Sequence, residues 1–394
     1  MSVLLPAAVV VFVFMSLLIV ERLYLIRLQA RIPIRVCVTG TRGKSTVTRY
    51  IAAALRASGR TVLAKTTGSK PAIILPDGEE REIQRNGLPS ILEQKSVLAL
   101  AGRLRADALV TEMMSIGPEC LAAESKKIIR PELLVVTNVR LDHEEEMGRT
   151  IETIAASLAA AVPPGGTILL PDRERYPVFD HAARKLRSRV IPISSEEEGD
   201  VPSEFDFPDN LRLALAAAAH FGVDRATALR GIAAARLDFG SLRIWTAVSP
   251  LSGRSWRLAG LFAANEPEST RLALERLRRR SPFAGRRLIA LVNLRADRAS
   301  RTRQWLAAIR SGFFAEFDRL VFIGEQASAL ARIRFSRGEG IPIVGAVSGR
   351  SADKVMAAIW PLSEGEAVVV GVGNIAGIGR ALIEHWDAVG SPAP

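Results

Sequence analysis

A glycine-rich segment that carries a lysine and two hydroxyl residues directly follows an apolar stretch of the sequence. The segment reads Gly40-Thr41-Arg42-Gly43-Lys44-Ser45-Thr46, and the apolar stretch runs from Ile34 to Val38. The glycines let backbone N–H groups turn toward an anion, and the positive end of the helix that follows attracts negative charge. Lys44 can reach terminal phosphates, and Ser45 or Thr46 can supply a hydroxyl to Mg²⁺. The segment therefore predicts a binding site for the phosphates of a nucleoside triphosphate, although the loop is shorter than the usual phosphate loop.

Acidic and imidazole side chains follow two other apolar runs, at the point where each run ends. Glu112 follows one run, and Asp142 with His143 follows the next. Ligands of open parallel sheets bind at the carboxyl ends of the strands, so these side chains are expected to converge beside the glycine segment. Carboxylate, imidazole and hydroxyl groups can hold a divalent cation. We predict Ser45, Glu112 and His143 as Mg²⁺ ligands, and Lys44, Glu112 and His143 as catalytic residues.

Short apolar runs alternate with helical patterns along the chain, which is typical of parallel α/β sheets. The first series comprises Ile34–Val38, Thr61–Lys65, Ala108–Thr111, Leu133–Thr137, Thr167–Leu170 and Val190–Ile193. The second comprises Trp256–Ala263, Leu288–Asn293, Leu320–Ile323, Ile341–Ala346 and Ala367–Val372. We therefore predict an α/β fold: a central ATP-binding domain with a parallel sheet over residues 31–240, and a smaller Rossmann-like domain over residues 241–394.

The first twenty residues differ in character from the rest of the chain. Ser2 to Val20 carry no charge, and as a helix they would extend about 28 Å, near the thickness of a bilayer's hydrocarbon core. Arg22, Arg27 and Arg31 follow. The positive-inside bias then predicts one transmembrane helix within residues 1–30, an amino terminus outside the cell and catalytic domains in the cytoplasm. A cleaved signal peptide is one alternative, but the sequence has neither the basic start nor the cleavage site that it would need. A buried core helix is the other alternative.

Composition limits the class of protein and its partners. The chain has 394 residues, of which 48% are hydrophobic and 24% charged, which excludes a disordered chain and a polytopic membrane protein. A net charge of +12 favours a polyanionic partner. No nucleic-acid-binding motif is present, so nucleic acid is not the predicted partner. Two cysteines, Cys37 and Cys120, supply neither a disulfide scaffold nor a zinc site and fit a reducing compartment.

Taken together, these segments resemble the Mur ligase superfamily, whose members activate a carboxylate as an acyl phosphate and join it to an amine. Gly40 to Thr46 resembles the superfamily's phosphate loop, and Glu112 its metal-binding glutamate. Thr137-Asn138-Val139 with Asp142-His143 resembles its T-N-[IV]-x-x-D-H segment. Asn210, at the start of a helix that approaches the adenine in the superfamily, is a further cofactor-binding candidate. The resemblance implies a Mur-ligase-like central domain that uses ATP and Mg²⁺.

Within the superfamily, the chain is most similar to the ligase subunits of poly-γ-glutamate synthases, the PgsB/CapB type. The similarity rests on the single membrane helix, the absence of a UDP-binding domain and several segments: Ala64–Gly68, Ile91–Gln94, Leu141–His143, Phe262–Thr270, Leu294–Arg298 and Gly371–Ile375. It implies an enzyme of capsule synthesis at the cell membrane that adds glutamate to a poly-γ-glutamate chain through its γ-carboxyl. It further implies other membrane subunits as partners and leaves a homo-oligomer open.

Two segments depart from the wider superfamily. Thr150 to Ala161 contain no lysine where many members carry a carbamoylated one, so the cation must be held without it. The common D-Y-A-H-N-P segment appears as Phe262–Pro267, which leaves the role of Asn265 open. Arg295 and Asp297, with Arg298, are candidates for the face of the second domain that closes on the nucleotide.

Other functions remain alternatives at this point. A relative such as folylpolyglutamate synthase would use the same phosphoryl chemistry on another acceptor. A membrane-tethered nucleotide-binding scaffold would keep Lys44 without needing Glu112 or His143. Gly371-Val372-Gly373 after an apolar run suggests a dinucleotide-dependent oxidoreductase, but no acidic residue follows at the spacing that a ribose contact requires.

Overall fold

The computed structural model of the chain describes residues 4–68, 70–85, 87, 89–141, 144–174, 176–194, 208–236, 242–280, 283–295, 299–333 and 343–393. The chain divides into two compact units, Met1–Asp238 and Phe239–Pro394. Each unit is built on one sheet. The prediction of two α/β units is confirmed.

An eight-stranded sheet lies at the centre of the first unit. Its strands are β1 (Ile34–Thr39), β2 (Val62–Thr66), β3 (Ala72–Ile74), β4 (Glu80–Glu82), β5 (Ala108–Glu112), β6 (Leu133–Val136), β7 (Thr167–Pro171) and β8 (Arg189–Ile193). They are arranged in the order β4-β3-β2-β5-β1-β6-β7-β8. The strands from β2 to β8 in this order pair in parallel, as predicted. The two edge strands β3 and β4 pair antiparallel and were not predicted, because each has only three residues.

Helices cover both faces of this sheet, as a parallel sheet requires. They are α1 (Leu4–Arg31), α2 (Lys44–Ala57), α3 (Glu93–Arg103), α4 (Pro118–Ala123), α5 (Glu144–Met147), α6 (Ile151–Ala159), α7 (Pro177–Leu186), α8 (Pro208–His220) and α9 (Arg225–Ala233), with a π-helical turn at Glu124–Ile129 and a 3₁₀ turn at Asp172–Glu174. Side chains of β1 alternate between the two faces, as the period of a strand dictates. Val36 and Val38 pack against α2, α8 and α9, whereas Cys37 lies in the core shared with α1, α3 and α6.

Helix α1 has two parts with different surroundings. Its apolar side chains from Val9 to Val20 are mostly exposed, and the helix is long and apolar enough to cross a membrane. Its last turns pack on the first unit, where Leu25 and Leu28 are buried. The single apolar helix predicted for the start of the chain is thus present, and its far end belongs to the core of the first unit.

The second unit contains a seven-stranded sheet. Its strands are β9 (Arg243–Val248), β10 (Ser255–Gly260), β11 (Arg287–Asn293), β12 (Arg319–Ile323), β13 (Ile343–Val347), β14 (Ala367–Gly373) and β15 (Ser391–Pro392), and its helices are α10 (Pro267–Arg280), α11 (Ala299–Arg310), α12 (Ala327–Ala331), α13 (Ala352–Ile359) and α14 (Ile378–Val389). The order is β13-β12-β11-β14-β10-β9-β15, with β9 and β15 antiparallel at one edge. The five strands from β13 to β10 are parallel, which matches the Rossmann-like prediction.

One predicted strand of the second unit is too long. The run Trp256–Ala263 was predicted to be continuous, but β10 ends at Gly260 and residues Phe262–Ala264 form a 3₁₀ turn. The ring of Phe262 fills the space beside Gly371, where an added Cβ would lie 2.2 Å from the ring. The chain therefore turns into the core after Gly260 instead of continuing along the sheet.

Candidate active site

The glycine segment connects β1 to α2 and depends on glycine at two positions. Gly40 has φ +122°, and a Cβ there would lie 2.2 Å from Thr137 Oγ1. Gly43 precedes α2 with φ +79°, and a Cβ there would lie 2.7 Å from Asn210 Oδ1. Both a left-handed conformation and the lack of space exclude larger residues. The first N–H groups of α2 have no acceptor within the helix, so this loop ends at an anion-binding helix terminus.

The residues after β6 hold the loop in place. Asn138 Oδ1 accepts hydrogen bonds from Thr41 Oγ1 at 2.6 Å and from the Arg42 N–H at 2.9 Å. Asn138 Nδ2 and Thr137 Oγ1 both donate to the Arg42 carbonyl, at 3.1 and 2.6 Å. From the sequence, Thr137 and Asn138 were recognised only as part of a motif. In the structure they bind the glycine loop through hydrogen bonds. They fix the backbone of the loop without using the N–H groups at the start of α2.

Lys44 is the first residue of α2, and its side chain bends back over the loop. Its Nζ donates to the Gly40 carbonyl at 2.7 Å and to the Thr41 carbonyl at 3.4 Å. The positive charge therefore lies on the inner side of the glycine loop, next to the positive end of α2. That is where the charge of a bound polyphosphate would be neutralised.

Ser45 and Glu112 lie against each other although 67 positions separate them in the sequence. Ser45 Oγ donates to Glu112 Oε2 at 2.8 Å, and the Thr67 N–H donates to the same oxygen at 2.7 Å. Both side chains are buried. Gly68 passes directly over the hydroxyl, since a Cβ at Gly68 would lie 2.4 Å from Ser45 Oγ. Of the two hydroxyls offered by the sequence, it is Ser45 that meets the carboxylate.

These groups fit a small divalent cation. Within the described part of the chain, Glu112 Oε1 has no hydrogen-bond donor, so the carboxylate keeps an oxygen for a ligand. A hydroxyl and a carboxylate are hard oxygen donors, and Mg²⁺ binds such pairs while retaining several waters. No cluster of three His, Cys, Asp or Glu side chains occurs among the residues that the structure describes. Asp142 and His143 lie outside those residues, so their predicted place beside Glu112 stays a prediction.

A second buried carboxylate shapes the chain after Glu112. Gln94 Nε2 donates to the Glu112 carbonyl at 3.2 Å and to Glu124 Oε1 at 2.5 Å. Glu124 also accepts from the N–H groups of Met114 and Ser115, both at 3.2 Å. Gln94 and Glu124 thereby fix the backbone at the end of β5 and in the residues that follow it. Sequence reasoning missed Glu124, because nothing near it in the sequence shows that its partners are distant.

A buried lysine next to the site was also missed. Lys65, at the end of β2, is fully buried, and its Nζ lies 3.3 Å from Glu93 Oε2. Arg85 donates to both oxygens of Glu93, at 2.7 and 3.1 Å. Burial lowers the pKa of the Lys65 ammonium, while the Glu93 carboxylate acts in the opposite direction. For Glu93, burial alone would raise the pKa, but the hydrogen bond from Arg85 and the charge of Lys65 bring it below its usual value.

A third buried carboxylate holds the residues that follow Asn138. Glu174 is buried, and its Oε2 accepts from the Val139 N–H at 3.2 Å. Its Oε1 accepts from Arg140 Nη1 at 2.6 Å. This carboxylate therefore fixes the backbone of Val139 and the side chain of Arg140. It is another positioning residue that the sequence pattern did not reveal.

The predicted site residues of the second unit are only partly described. Arg295 follows β11, and Thr302 Oγ1 donates to its carbonyl at 3.4 Å, whereas Asp297 and Arg298 lie outside the described residues. Asn265 has φ +56°, a left-handed conformation that asparagine tolerates, and its carbonyl accepts from Trp305 Nε1 at 3.0 Å. Asn265 thus ends the 3₁₀ turn that displaced the predicted strand.

The glycines at the end of β14 have a packing explanation. Gly371 is covered by the ring of Phe262, and a Cβ at Gly373 would lie 2.3 Å from the Asn293 carbonyl oxygen. Asn293 Nδ2 donates to the carbonyls of Asn374 and Ala376 at 2.6 and 2.9 Å. The space beside both glycines is filled by the protein itself. This removes the main reason for considering a dinucleotide-dependent oxidoreductase.

The two-unit α/β fold, with a glycine-rich loop at the carboxyl edge of the first sheet, is that of the Mur ligases. A sequence model of the Mur ligase middle domain matches residues 38–211. A bifunctional folylpolyglutamate synthase/dihydrofolate synthase from Yersinia pestis, solved with AMPPNP and Mn ion, matches with a TM-score of 0.66 at 16% identity. The match covers 93% of this chain and 91% of that one. At this identity the likeness shows the fold alone.

Relatives of higher identity define the family. A sequence model of the poly-gamma-glutamate synthase CapB C-terminal domain matches residues 246–389. The capsule biosynthesis protein CapB of Bacillus anthracis is 34% identical over 363 residues, which are 90% of this chain and 76% of that protein. The PGA synthase CapB of Bacillus subtilis (strain 168) is 32% identical over 361 residues, 90% of each chain. The chain belongs to the poly-γ-glutamate synthase CapB family, and its enzyme class is that of the ATP-dependent amide ligases.

Proposed function

We propose that this chain uses ATP to activate a carboxylate as an acyl phosphate and adds glutamate through its γ-carboxyl, so that a poly-γ-glutamate chain grows at the membrane. The observation that carries the proposal is the contact between Ser45 and Glu112 beside the loop of Gly40 to Thr46. The curated relatives, at 34% and 32% identity, are a capsule biosynthesis protein and a PGA synthase, which supports glutamate as the substrate.

The proposed nucleotide site consists of the loop and the elements packed on it. The N–H groups at the start of α2 and the Lys44 ammonium bind the phosphates. Asn210 lies over Gly43 and is the proposed contact to the base. Ser45 and Glu112 hold Mg²⁺, with His143 as the further proposed ligand. From the second unit, Arg295 and Asp297 are the proposed contacts to nucleotide. The Yersinia pestis relative was solved with AMPPNP and Mn ion, which supports a nucleotide and a divalent cation.

Activation is necessary because a carboxylate has oxide as its leaving group. Phosphorylation replaces that group with phosphate, and the amine of the incoming residue can then displace it. Bound Mg²⁺ would neutralise charge on the transferred phosphoryl group. Lys44 and the α2 N–H groups stabilise the charge that spreads over the equatorial oxygens during transfer. The products are one amide bond, ADP, phosphate and a proton, and no covalent bond to the enzyme forms.

We also propose that α1 anchors the chain in the cell membrane as a single span, with the catalytic units in the cytoplasm. Eleven apolar side chains between Val9 and Val20 are at least 43% exposed, which is unfavourable in water and favourable in lipid. Arg22, Arg27 and Arg31 follow on the cytoplasmic side. The last turns of α1 are buried in the first unit, so removal of the helix as a signal peptide would open that core. Other membrane subunits are proposed to act with the chain.

Two other functions are distinguishable by experiment. A folylpolyglutamate synthase would require a folate acceptor, and a nucleotide-binding scaffold would bind ATP without turnover. Membranes that contain the chain are incubated with ATP, Mg²⁺ and labelled glutamate, and ADP release and amide linkage are analysed. We expect glutamate-dependent ADP release and label in γ-linked amides. Turnover that needs a folate, or ATP binding without ADP release, would contradict the proposal.

A further inference from the structure

We propose that the carboxyl edge of the first sheet, where Glu112 of β5 meets Ser45 of α2, faces the lipid bilayer and lies at the level of its headgroups. The inference rests on the proposed membrane span, and it adds the side of the enzyme that meets the membrane. The partner of this surface is the lipid headgroup layer itself.

Helix α1 lies beside α3 in a parallel register. Glu21 forms an ion pair with Lys95 at one end of the contact. Two turns further, Leu28 packs over Gly102, where an added Cβ would lie 2.7 Å from Leu28 Cδ2. Both steps are seven residues, so the two helices advance together by about 10 Å in the same direction.

Helix α1 also contacts the π-helical turn that follows α4. Arg22 Nη1 donates to the Lys127 carbonyl at 2.9 Å. Gln29 Nε2 donates to the Ile128 carbonyl at 2.7 Å. Leu25 is buried between these two polar contacts. Hydrogen bonds at both ends and a buried side chain between them fix the direction of the helix relative to the sheet.

The direction of α3 identifies which edge of the sheet lies near the apolar part of α1. At the start of α3, Gln94 donates to the carbonyl of Glu112, the last residue of β5. The helix then runs back toward Ala108, where β5 begins. The Glu21–Lys95 pair is therefore at the carboxyl edge, and the Leu28–Gly102 contact is nearer the opposite edge.

The apolar span begins immediately beyond the ion pair. Val20 is the last residue of the exposed apolar run, and it directly precedes Glu21 in one continuous helix. A helix rises about 1.5 Å per residue, and each headgroup layer is about 5–7 Å thick. If Val20 ends in hydrocarbon, Glu21 and Lys95 lie within the headgroup layer. Gln94, next to Lys95, brings the end of β5 to the same side.

The exposed side of α1 agrees with this depth. Leu23, Tyr24 and Ile26 are at least 39% exposed on the helix face that points away from the unit. Apolar and tyrosine side chains are favoured where a helix leaves the bilayer, and the neighbouring Arg27 can extend its charge toward headgroups. The enzyme would thus form amide bonds next to the membrane surface, where a polymer can pass directly to a membrane component.

Two exposed leucines that flank α3 provide a matched pair of probes. Leu92 precedes α3 and is 55% exposed, and Leu104 follows it and is 38% exposed. They are twelve residues apart, or about 18 Å along the helix. In the full-length chain with Cys120→Ser, either Leu92→Cys or Leu104→Cys is labelled with an environment-sensitive fluorophore. The buried Cys37 does not compete for the label.

Labelled protein is placed in lipid nanodiscs that contain lipids with headgroup nitroxides, and quenching is measured. We expect quenching at position 92 to exceed that at position 104 by about threefold or more, since nitroxide quenching falls steeply over the separation of about 18 Å. Equal quenching, or stronger quenching at 104, would overturn the inference. So would the absence of quenching at both positions, which would also remove the membrane anchor.

A second pair guards against loss of folding in the first. Ser96→Cys and Arg103→Cys replace exposed residues on the same helix, and the serine change is nearly isosteric. Position 96 is again expected to be the more quenched. Lys44→Ala in the same background is expected to lose ligation and keep the quenching pattern. The experiments can therefore contradict the proposed orientation without contradicting the proposed ligase function, and the reverse.

Discussion

Ser45 Oγ and Glu112 Oε2 are joined by a hydrogen bond of 2.8 Å between the first turn of α2 and the end of β5. The contact brings the hydroxyl of Ser45, next to the glycine loop, onto a carboxylate from a neighbouring strand. A cation held there would lie next to phosphates bound at the helix terminus. If the loop binds phosphates and the pair binds a cation as proposed, one place would provide the two functions that a phosphoryl-transfer site requires, anion binding and cation binding.

If Ser45 and Glu112 hold one cation, their substitutions will not act independently. Glu112→Gln and Ser45→Ala are each expected to lower glutamate-dependent ATP turnover about 100-fold, and the double variant only slightly more, because either change already removes the cation. The Mg²⁺ concentration for half-maximal turnover should rise in Ser45→Ala. Steady-state assays over a Mg²⁺ series provide the measurement. Glu119→Gln changes an exposed carboxylate on α4 and serves as the control. Fully additive losses would argue against a shared cation.

Replacement of Gly43 by alanine should impair nucleotide binding more than replacement of Gly59, another glycine with a positive φ. Gly43 and Gly59 have φ of +79° and +85°, but only Gly43 has atoms within 4 Å of an added Cβ. Both alanine variants are expected to lose about 1–2 kcal/mol of unfolding free energy. Only Gly43→Ala should also weaken ATP binding, by about tenfold or more, because Asn210 and the loop must move. Calorimetric titration with a non-hydrolysable nucleotide tests this, and equal affinity in the two variants would contradict it.

The two cysteines should differ sharply in reactivity. Burial raises the pKa of the Cys37 thiol to about 12, whereas Cys120 is exposed on α4. Because the thiolate is the reactive form, one thiol per chain should react with a maleimide in the folded protein, and two after unfolding. Cys120→Ser should leave none in the folded state. Mass spectrometry of the labelled protein reports the count, and rapid labelling of Cys37 would mean that β1 is not in the core.

The Arg85–Glu93–Lys65 cluster predicts a pH dependence of stability on the acid side. The pKa of Glu93 lies below its usual value of 4.5, so its charge stabilises the fold above pH 4.5, and this contribution is lost as pH falls through the folded-state pKa. Glu93→Gln should therefore have a lower free energy of unfolding than the wild type near neutral pH. As pH falls from about 6 to 3, the free energy of unfolding should decrease less in Glu93→Gln than in the wild type. Urea unfolding over this range is the measurement, with Glu119→Gln as control. Parallel pH profiles for Glu93→Gln and wild type would contradict the prediction.

The sequence sufficed for the parts of the site that are local. Ile34 to Thr46 combine a strand, a glycine turn and a helix start within thirteen residues, so the loop could be predicted directly. Glu112 could be predicted because the carboxyl ends of parallel strands meet at one edge of the sheet. The predicted α/β fold was confirmed, but the antiparallel strands at the sheet edges were missed. Strands β3, β4 and β15 have too few residues to show a period, and the six-residue strand β9 was not predicted either.

Positioning residues could not be predicted in the same way. Glu124 and Glu174 are charged residues whose surroundings in the sequence are ordinary, and their partners are long-range backbone and side-chain groups. The packing of α1 against α3 was missed for a related reason. Arginines interrupt the apolar pattern after Val20, and Gly102 gives no hint that it makes room for Leu28. Such pairings depend on the fold as a whole.

If the loop and the Ser45–Glu112 pair drive ATP-dependent formation of γ-linked amides, a substitution in either should abolish that product. Membranes that contain the wild-type chain, Lys44→Ala or Glu112→Gln are supplied with ATP, Mg²⁺ and labelled glutamate. Mass spectrometry then identifies the linkage of the labelled product. We expect γ-glutamyl amides and matching ADP release from the wild type, and a loss of about 100-fold or more in both variants. Unchanged γ-amide formation in Lys44→Ala, or α-linked product from the wild type, would rule out this role for the site.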